Sequence, residues 1–154
     1  MNHETLSSMD AMVPLMKEAL SLGRSVRFSP KGISMLPMLR QGRDSVVLSP
    51  APERLRKYDI PLYLRDNGQY VLHRIVESGD TYTCLGDNQF QAEPGVRADQ
   101  IIGVVTAFYR DERMIPVTNI GYRLYCRLWH HTRPLRHFSR RAIGWLKRHG
   151  VLPK

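Results

Sequence analysis

Ile60-Pro61-Leu62-Tyr63-Leu64-Arg65-Asp66-Asn67-Gly68-Gln69-Tyr70-Val71-Leu72-His73-Arg74-Ile75-Val76 is the stretch that decides the fold class of this 154-residue chain. Asp66-Asn67-Gly68 is a strong turn signal, because Asn and Gly accept the left-handed backbone that tight hairpins require. Apolar, β-branched and aromatic residues flank it, so residues 62–65 and 69–76 are expected to pair as a hairpin. Pro61 has no N–H to give to a ladder and points to an edge or an irregular start for the first arm.

Working outward, the same grammar repeats. Ser25-Val26-Arg27-Phe28 alternates before Ser29-Pro30-Lys31-Gly32 breaks the chain, and residues 45–48 form a β-branched run closed by Ser49-Pro50-Ala51-Pro52. Ser78-Gly79-Asp80 turns into a strand over 81–85, residues 101–109 make a long one, and Asp111-Glu112-Arg113 leads to a short final one. Many short strands with frequent Gly and Pro breaks predict a mainly β domain over 24–118, a coiled antiparallel sheet or partial barrel.

Helices are expected at both ends. In the N-terminal segment, 1–23, Leu6, Met9, Val13, Met16 and Leu20 recur at helical steps and Gly23 is a natural stop, while Pro14 predicts a kink or a late start. Packing of this methionine-rich stripe on the domain is the expected role. In the tail, 119–154, Tyr122, Tyr125, Leu128 and Trp129 fall on one helical face. After Pro134, Leu135, Phe138, Ala142, Trp145 and Leu146 line up in a second basic, aromatic segment.

Charge is divided unevenly. The chain has 23 Lys or Arg against 14 Asp or Glu, a formal +9. Ten of the basic residues and none of the acidic ones lie from Arg113 onward, leaving 13 basic against 14 acidic in the rest. Such a tail attracts anionic surfaces, and Tyr122, Trp129 and Trp145 beside arginines suit peripheral contact with an anionic membrane. Packing of these aromatics on the β-domain with solvated arginines is an equal alternative, and nucleic acid ranks third, because no nucleic-acid-reading motif accompanies the charge. No stretch is apolar enough for the roughly 20-residue span of a bilayer, and the start lacks the pattern of a secretory signal, so a cytoplasmic location with peripheral membrane attachment is expected. Cys84 and Cys126 make no disulfide framework and no metal-ligand pattern, fit a reducing compartment, and imply no metal or cofactor.

Three residues carry the chemistry. Ser34 sits in Gly32-Ile33-Ser34-Met35-Leu36-Pro37, where Pro30, Gly32 and Pro37 prevent regular pairing and hold a constrained turn. Ile33, Met35 and Leu36 are expected to anchor that turn with the hydroxyl outward. His73 falls in the predicted second hairpin arm, on the face shared by Val71 and Ile75. Its ordinary pKa of about 6.5 suits it to take a serine proton near neutral pH. Asp87, after Gly86 and before Asn88, supplies a carboxylate able to orient an imidazole. Singly, these are a turn serine, a core histidine and a turn aspartate; their ordered recurrence argues for a serine hydrolase.

Ser34-Met35-Leu36-Pro37, His73-Arg74-Ile75-Val76 and Gly86-Asp87-Asn88, in that order, resemble the type I signal peptidases and their self-cleaving repressor relatives. The resemblance is to the branch of archaea and the endoplasmic reticulum, in which histidine replaces the usual lysine base. It covers roughly residues 24–109 and implies the family's coiled antiparallel β-domain. By the same resemblance Ser34 is the nucleophile, His73 the general base and Asp87 the family's carboxylate. Asp44 and Asp59 match Gly-Asp pairs at strand starts, although Arg43 and Tyr58 replace the glycines, and Ile101-Ile102-Gly103-Val104-Val105 is similar to the closing strand. Where relatives carry a hydroxyl donor two positions before the nucleophile, this chain has Gly32. Oxyanion contacts are therefore expected from backbone at Ser34 and Gly32, and a missing donor typically costs about 3 kcal/mol of transition-state stabilisation.

The implied activity is endoproteolysis of a leader peptide or preprotein through an acyl-enzyme, with small side chains just before the cleaved bond. The alternative is a non-catalytic peptide-binding or regulatory relative of the same fold, for which Gly32 is the foothold. A self-cleaving regulator is disfavoured, because no helix-turn-helix pattern precedes the β-region and the base is not lysine.

Overall fold

The computed structural model describes residues 3–136 and 138–139. The described residues form α1 (His3–Ser21), β1 (Val26–Phe28), β2 (Asp44–Ser49), β3 (Pro61–Leu64), β4 (Tyr70–Leu72), β5 (Arg74–Ser78), β6 (Tyr82–Leu85), β7 (Glu93–Val96), β8 (Ile101–Arg110), β9 (Arg113–Pro116) and α2 (Ile120–His131). The chain divides into two compact units at residues 119/120, the first holding α1 and every strand, the second holding α2.

Antiparallel pairing builds two sheets. One has six strands, ordered β1-β2-β8-β3-β4 with β9 also on β8; the other is β5-β6-β7. Neither closes into a barrel, so the partial barrel becomes two open sheets. The ten-residue β8 organises the larger sheet, pairing with β2 along one side and with β3 and then β9 along the other. Register shifts at Val47/Leu48 and Leu62/Tyr63 break the ladder and add local twist.

The Asp66-Asn67-Gly68 turn forms: Gly68 takes φ +82°, and Leu62, Tyr63 and Leu64 pair with Leu72, Val71 and Tyr70. The second arm is shorter than expected. The chain leaves the ladder at His73 and re-enters pairing as β5 in the other sheet, so His73 is a crossover residue rather than a strand residue. Alternation fails there for that reason: Leu72 through Val76 are all buried. Pro61 is the first residue of an interior strand, where its missing N–H is tolerated, and not part of an edge. β7 carries Pro94 and Gly95, which masked it as a strand in the sequence.

α1 buries Val13, Met16 and Leu20, and Pro14 lies exposed inside it. Gly23 at φ +72° closes the helix, with Gly23 N–H donating to Leu20 O and Arg24 N–H to Ala19 O. Leu20 reaches the sheet at Gly103, where an added Cβ would lie 2.9 Å from Leu48 Cγ and Ser49 O and 3.1 Å from Leu20 Cδ1. The two sheets share a core of Leu55, Tyr63, Ile75, Tyr82, Cys84, Val96 and Val104, and Cys84 and Cys126 are both buried and not joined in a disulfide.

In the second unit, Tyr122, Tyr125 and Trp129 stack along α2 and the Arg136 guanidinium lies 3.4 Å over the Trp129 ring. Ile120, Leu124 and Leu128 form an exposed row, and Leu135 and Phe138 are exposed too. Ala142, Trp145 and Leu146, expected on the second tail segment, lie outside the described residues.

Candidate active site

Ser34 sits on an irregular turn between β1 and β2, half-buried. Gly32 adopts φ +98°, a conformation that side chains resist, and its N–H donates to Gln41 Oε1 at 2.7 Å. Leu36 N–H to Ile33 O and Leu39 N–H to Met35 O wind the turn. The anchors are Met35, Met38 and Leu39, all buried; Ile33, expected among them, is 68% exposed. Asp44 ties down the far end, accepting from the Arg40 amide at 2.9 Å and from Arg43 Nε and NH2 at 2.6 and 2.7 Å.

Gly86-Asp87-Asn88 docks directly onto this turn. Asn88 N–H donates to Ser34 O at 2.8 Å and Asn88 Nδ2 to Ile33 O at 3.2 Å. The approach is so close that a Cβ on Gly86 would lie 2.7 Å from Ser34 O. Glycine is needed there for space.

Asp87 makes a buried ion pair with Arg74. Its two oxygens accept from Arg74 Nε and NH2, each at 2.8 Å, and both side chains are 3% exposed. Arg74 NH1 also donates to Tyr58 O at 3.2 Å. Fork-to-fork pairing of this kind fixes the β5 start against the Gly86 turn. It alters the expected part of Asp87: the carboxylate is engaged edge-on by Arg74, and it acts on His73 through its field.

His73 is 4% exposed, and its Nδ1 lies 3.4 Å from the Tyr63 hydroxyl. Burial, reinforced by the positive charge of Arg65, lowers its pKa to about 4 against the opposing pull of Glu93 and Asp87. The imidazole is therefore neutral at pH 7. Tyr63, fully buried, donates to Glu93 Oε2 at 2.7 Å, and Arg65 holds Glu93 through Nε at 2.8 Å and NH2 at 2.7 Å. Burial would raise the Glu93 carboxyl, but the bonds from Arg65 and Tyr63 outweigh it and hold the group below its ordinary value. The Tyr63 hydroxyl is pushed well above its ordinary value by burial and by Glu93, so it keeps its proton.

Ser34 and His73 line one cavity of about 940 Å³. Its walls come from both edges of the larger sheet, β1 and β4, and from Met9, Met12 and Met16 of α1. Among the described residues no hydrogen bond joins Ser34 Oγ to His73, and the Ser34 N–H meets no acceptor. The Gly32 amide, expected to serve an oxyanion, is occupied by Gln41. No group of three or more His, Cys, Asp or Glu that could hold a metal occurs among the described residues.

Tyr63, Arg65, Arg74 and Glu93 were not singled out from the sequence. Arg74 lies inside the His73-Arg74-Ile75 motif, and nothing in the sequence marks Asp87, thirteen residues on, as its partner. Glu93 had no signal, sitting beside Pro94 and Gly95. No protein-family model, curated protein or solved structure matches this chain. Among the described residues no helix is long and apolar enough to cross a membrane.

Proposed function

We propose that this chain is a serine endopeptidase of the signal-peptidase type that cleaves leader or signal-like peptides through an acyl-enzyme on Ser34. The observation that carries the proposal is the shared cavity: a turn serine and a buried, neutral imidazole open into one apolar cleft between two sheet edges. The motif order in the sequence supports the same class, including its coiled β-domain.

In the proposed reaction His73 takes the Ser34 proton as Oγ attacks a peptide carbonyl. The protonated imidazole then gives that proton to the leaving amine, and water, deprotonated in turn by His73, releases the acyl group. The Ser34 N–H is the oxyanion donor, and the substrate enters extended, adding to an open edge at β1 or β4. The α1 methionines offer an adaptable apolar wall for the leader. The field of Asp87 favours the transient imidazolium. Incubation of wild-type, Ser34→Ala and His73→Ala chains with candidate leader-bearing peptides, read by mass spectrometry, tests this. Each variant should lose nearly all cleavage while staying folded, and wild-type rates from either would refute the assignment.

A non-catalytic peptide-binding relative is the second reading, favoured by Gly32 and by the open Ser34–His73 geometry. It predicts saturable peptide binding with no product, and unchanged binding by Ser34→Ala.

We also propose that the tail attaches a cytoplasmic enzyme peripherally to anionic membrane. The exposed row Ile120, Leu124 and Leu128 beside Arg123 and Arg127 supports it, as an apolar face flanked by cations suits the headgroup layer. Co-sedimentation with anionic vesicles should fall sharply in a Leu124→Glu/Leu128→Glu chain, and equal binding would refute tail attachment.

A further inference from the structure

We infer that Tyr63, held by Glu93 and Arg65, is the positioning residue that fixes His73 in its Nδ1–H tautomer and so makes Nε2 the basic nitrogen. The inference follows from counting hydrogens. A phenol has one O–H to give. Tyr63 gives it to Glu93 Oε2 at 2.7 Å, and Glu93, clamped by two Arg65 donors, is a carboxylate that only accepts. The Tyr63 oxygen facing His73 Nδ1 at 3.4 Å can then act only as an acceptor. Nδ1 must bring the hydrogen, and the lone pair is left on Nε2.

Asp87 does not play this part: its oxygens accept from Arg74, and it makes no hydrogen bond to His73. The place of an orienting carboxylate is taken by a relay: Glu93 polarises the phenol, and the phenol orients the ring. Arg65 and Tyr63 belong to β3 or its end and Glu93 to β7, so the relay also bridges the two sheets beside the crossover residue. When Nε2 gains a proton, the Nδ1–H bond to Tyr63 becomes charge-assisted and shortens.

The consequence for catalysis rests on the peptidase reading, whereas the tautomer does not. Nitrogen NMR of the full-length chain with labelled histidine, with His73 assigned by its loss in His73→Gln, reads the tautomer directly. Wild type should show Nδ1 protonated and Nε2 bare at pH 7. Tyr63→Phe, nearly isosteric, removes the acceptor and should leave a mixture of tautomers. Glu93→Leu frees the Tyr63 hydrogen to point at Nδ1 and should move the ring proton to Nε2. In cleavage assays, kcat should fall about tenfold in Tyr63→Phe and on the order of a hundredfold in Glu93→Leu, with KM nearly constant, because the wrong tautomer cannot accept the serine proton. A wild-type Nε2–H tautomer, or one unmoved by both substitutions, overturns the inference even if cleavage is found. The expected tautomer shifts without any peptide cleavage would leave the inference standing and count against the peptidase reading alone.

Discussion

Acidification from pH 7 to pH 4 should cost this protein about 3 kcal/mol of stability through His73 alone. The ring is 4% exposed and its pKa falls from 6.5 to about 4 on folding, chiefly because burial penalises the cation and secondarily because Arg65 is near. The unfolded chain therefore binds a proton between those two pH values that the folded chain refuses. Stability rises with pH wherever the unfolded state holds more protons, so the contribution is fully present above about 6.5 and disappears as pH falls towards 4. At about 1.4 kcal/mol for each tenfold change in proton affinity, the depression amounts to about 3 kcal/mol. Urea unfolding at intervals from pH 7 to pH 4 measures it. His73→Gln removes the titrating imidazole and leaves every carboxylate in place, so the variant should lose about 3 kcal/mol less than wild type over the same interval. Parallel losses in the two chains would mean that His73 titrates normally, and that its burial against Arg65 does not govern its charge.

Other substitutions probe the scaffold around the site. Gly86→Ala places a methyl 2.7 Å from Ser34 O, so the Ser34 turn must shift; a stability loss of about 2 kcal/mol by denaturant titration and peptide cleavage slower on the order of a hundredfold are expected. Asp87→Asn removes the charged half of a buried ion pair with Arg74, both side chains being 3% exposed, and should destabilise by about 3 kcal/mol, read as a lower urea midpoint. Tyr58 holds φ +81° at the place where the resemblance expects glycine, so Tyr58→Gly should be more stable than Tyr58→Ala by about 1 kcal/mol in the same assay.

Much of the strand pattern was legible because turns are written locally. Asp66-Asn67-Gly68, Ser78-Gly79-Asp80 and Asp111-Glu112 each delimit strands close to where they occur. What alternation does not encode is a change of sheet. Leu72 to Val76 are all buried because the chain passes between two layers at His73, and a period of two cannot register that. Likewise Ser34, His73 and Asp87 were legible as candidates through their motifs, but their partners were not. Tyr63 reads as a strand aromatic until its hydroxyl is seen between His73 and Glu93, and Arg74 reads as a solvated cation until Asp87 closes on it. The α1 methionines divide in a way no stripe reveals: Met16 is buried and Met12 partly exposed, yet both face the cavity.

The rims of the larger sheet, β1 and β4, are only three residues long each. A guest strand laid along either rim gains a handful of main-chain bonds at about 1 kcal/mol apiece, which is a loose grip. On the proposed peptidase reading, severing the guest would divide that modest hold between two fragments, so each would depart readily and the cleft would empty for the next chain. Brevity at the margin thus favours release over retention, and it gives neighbouring copies little to template upon.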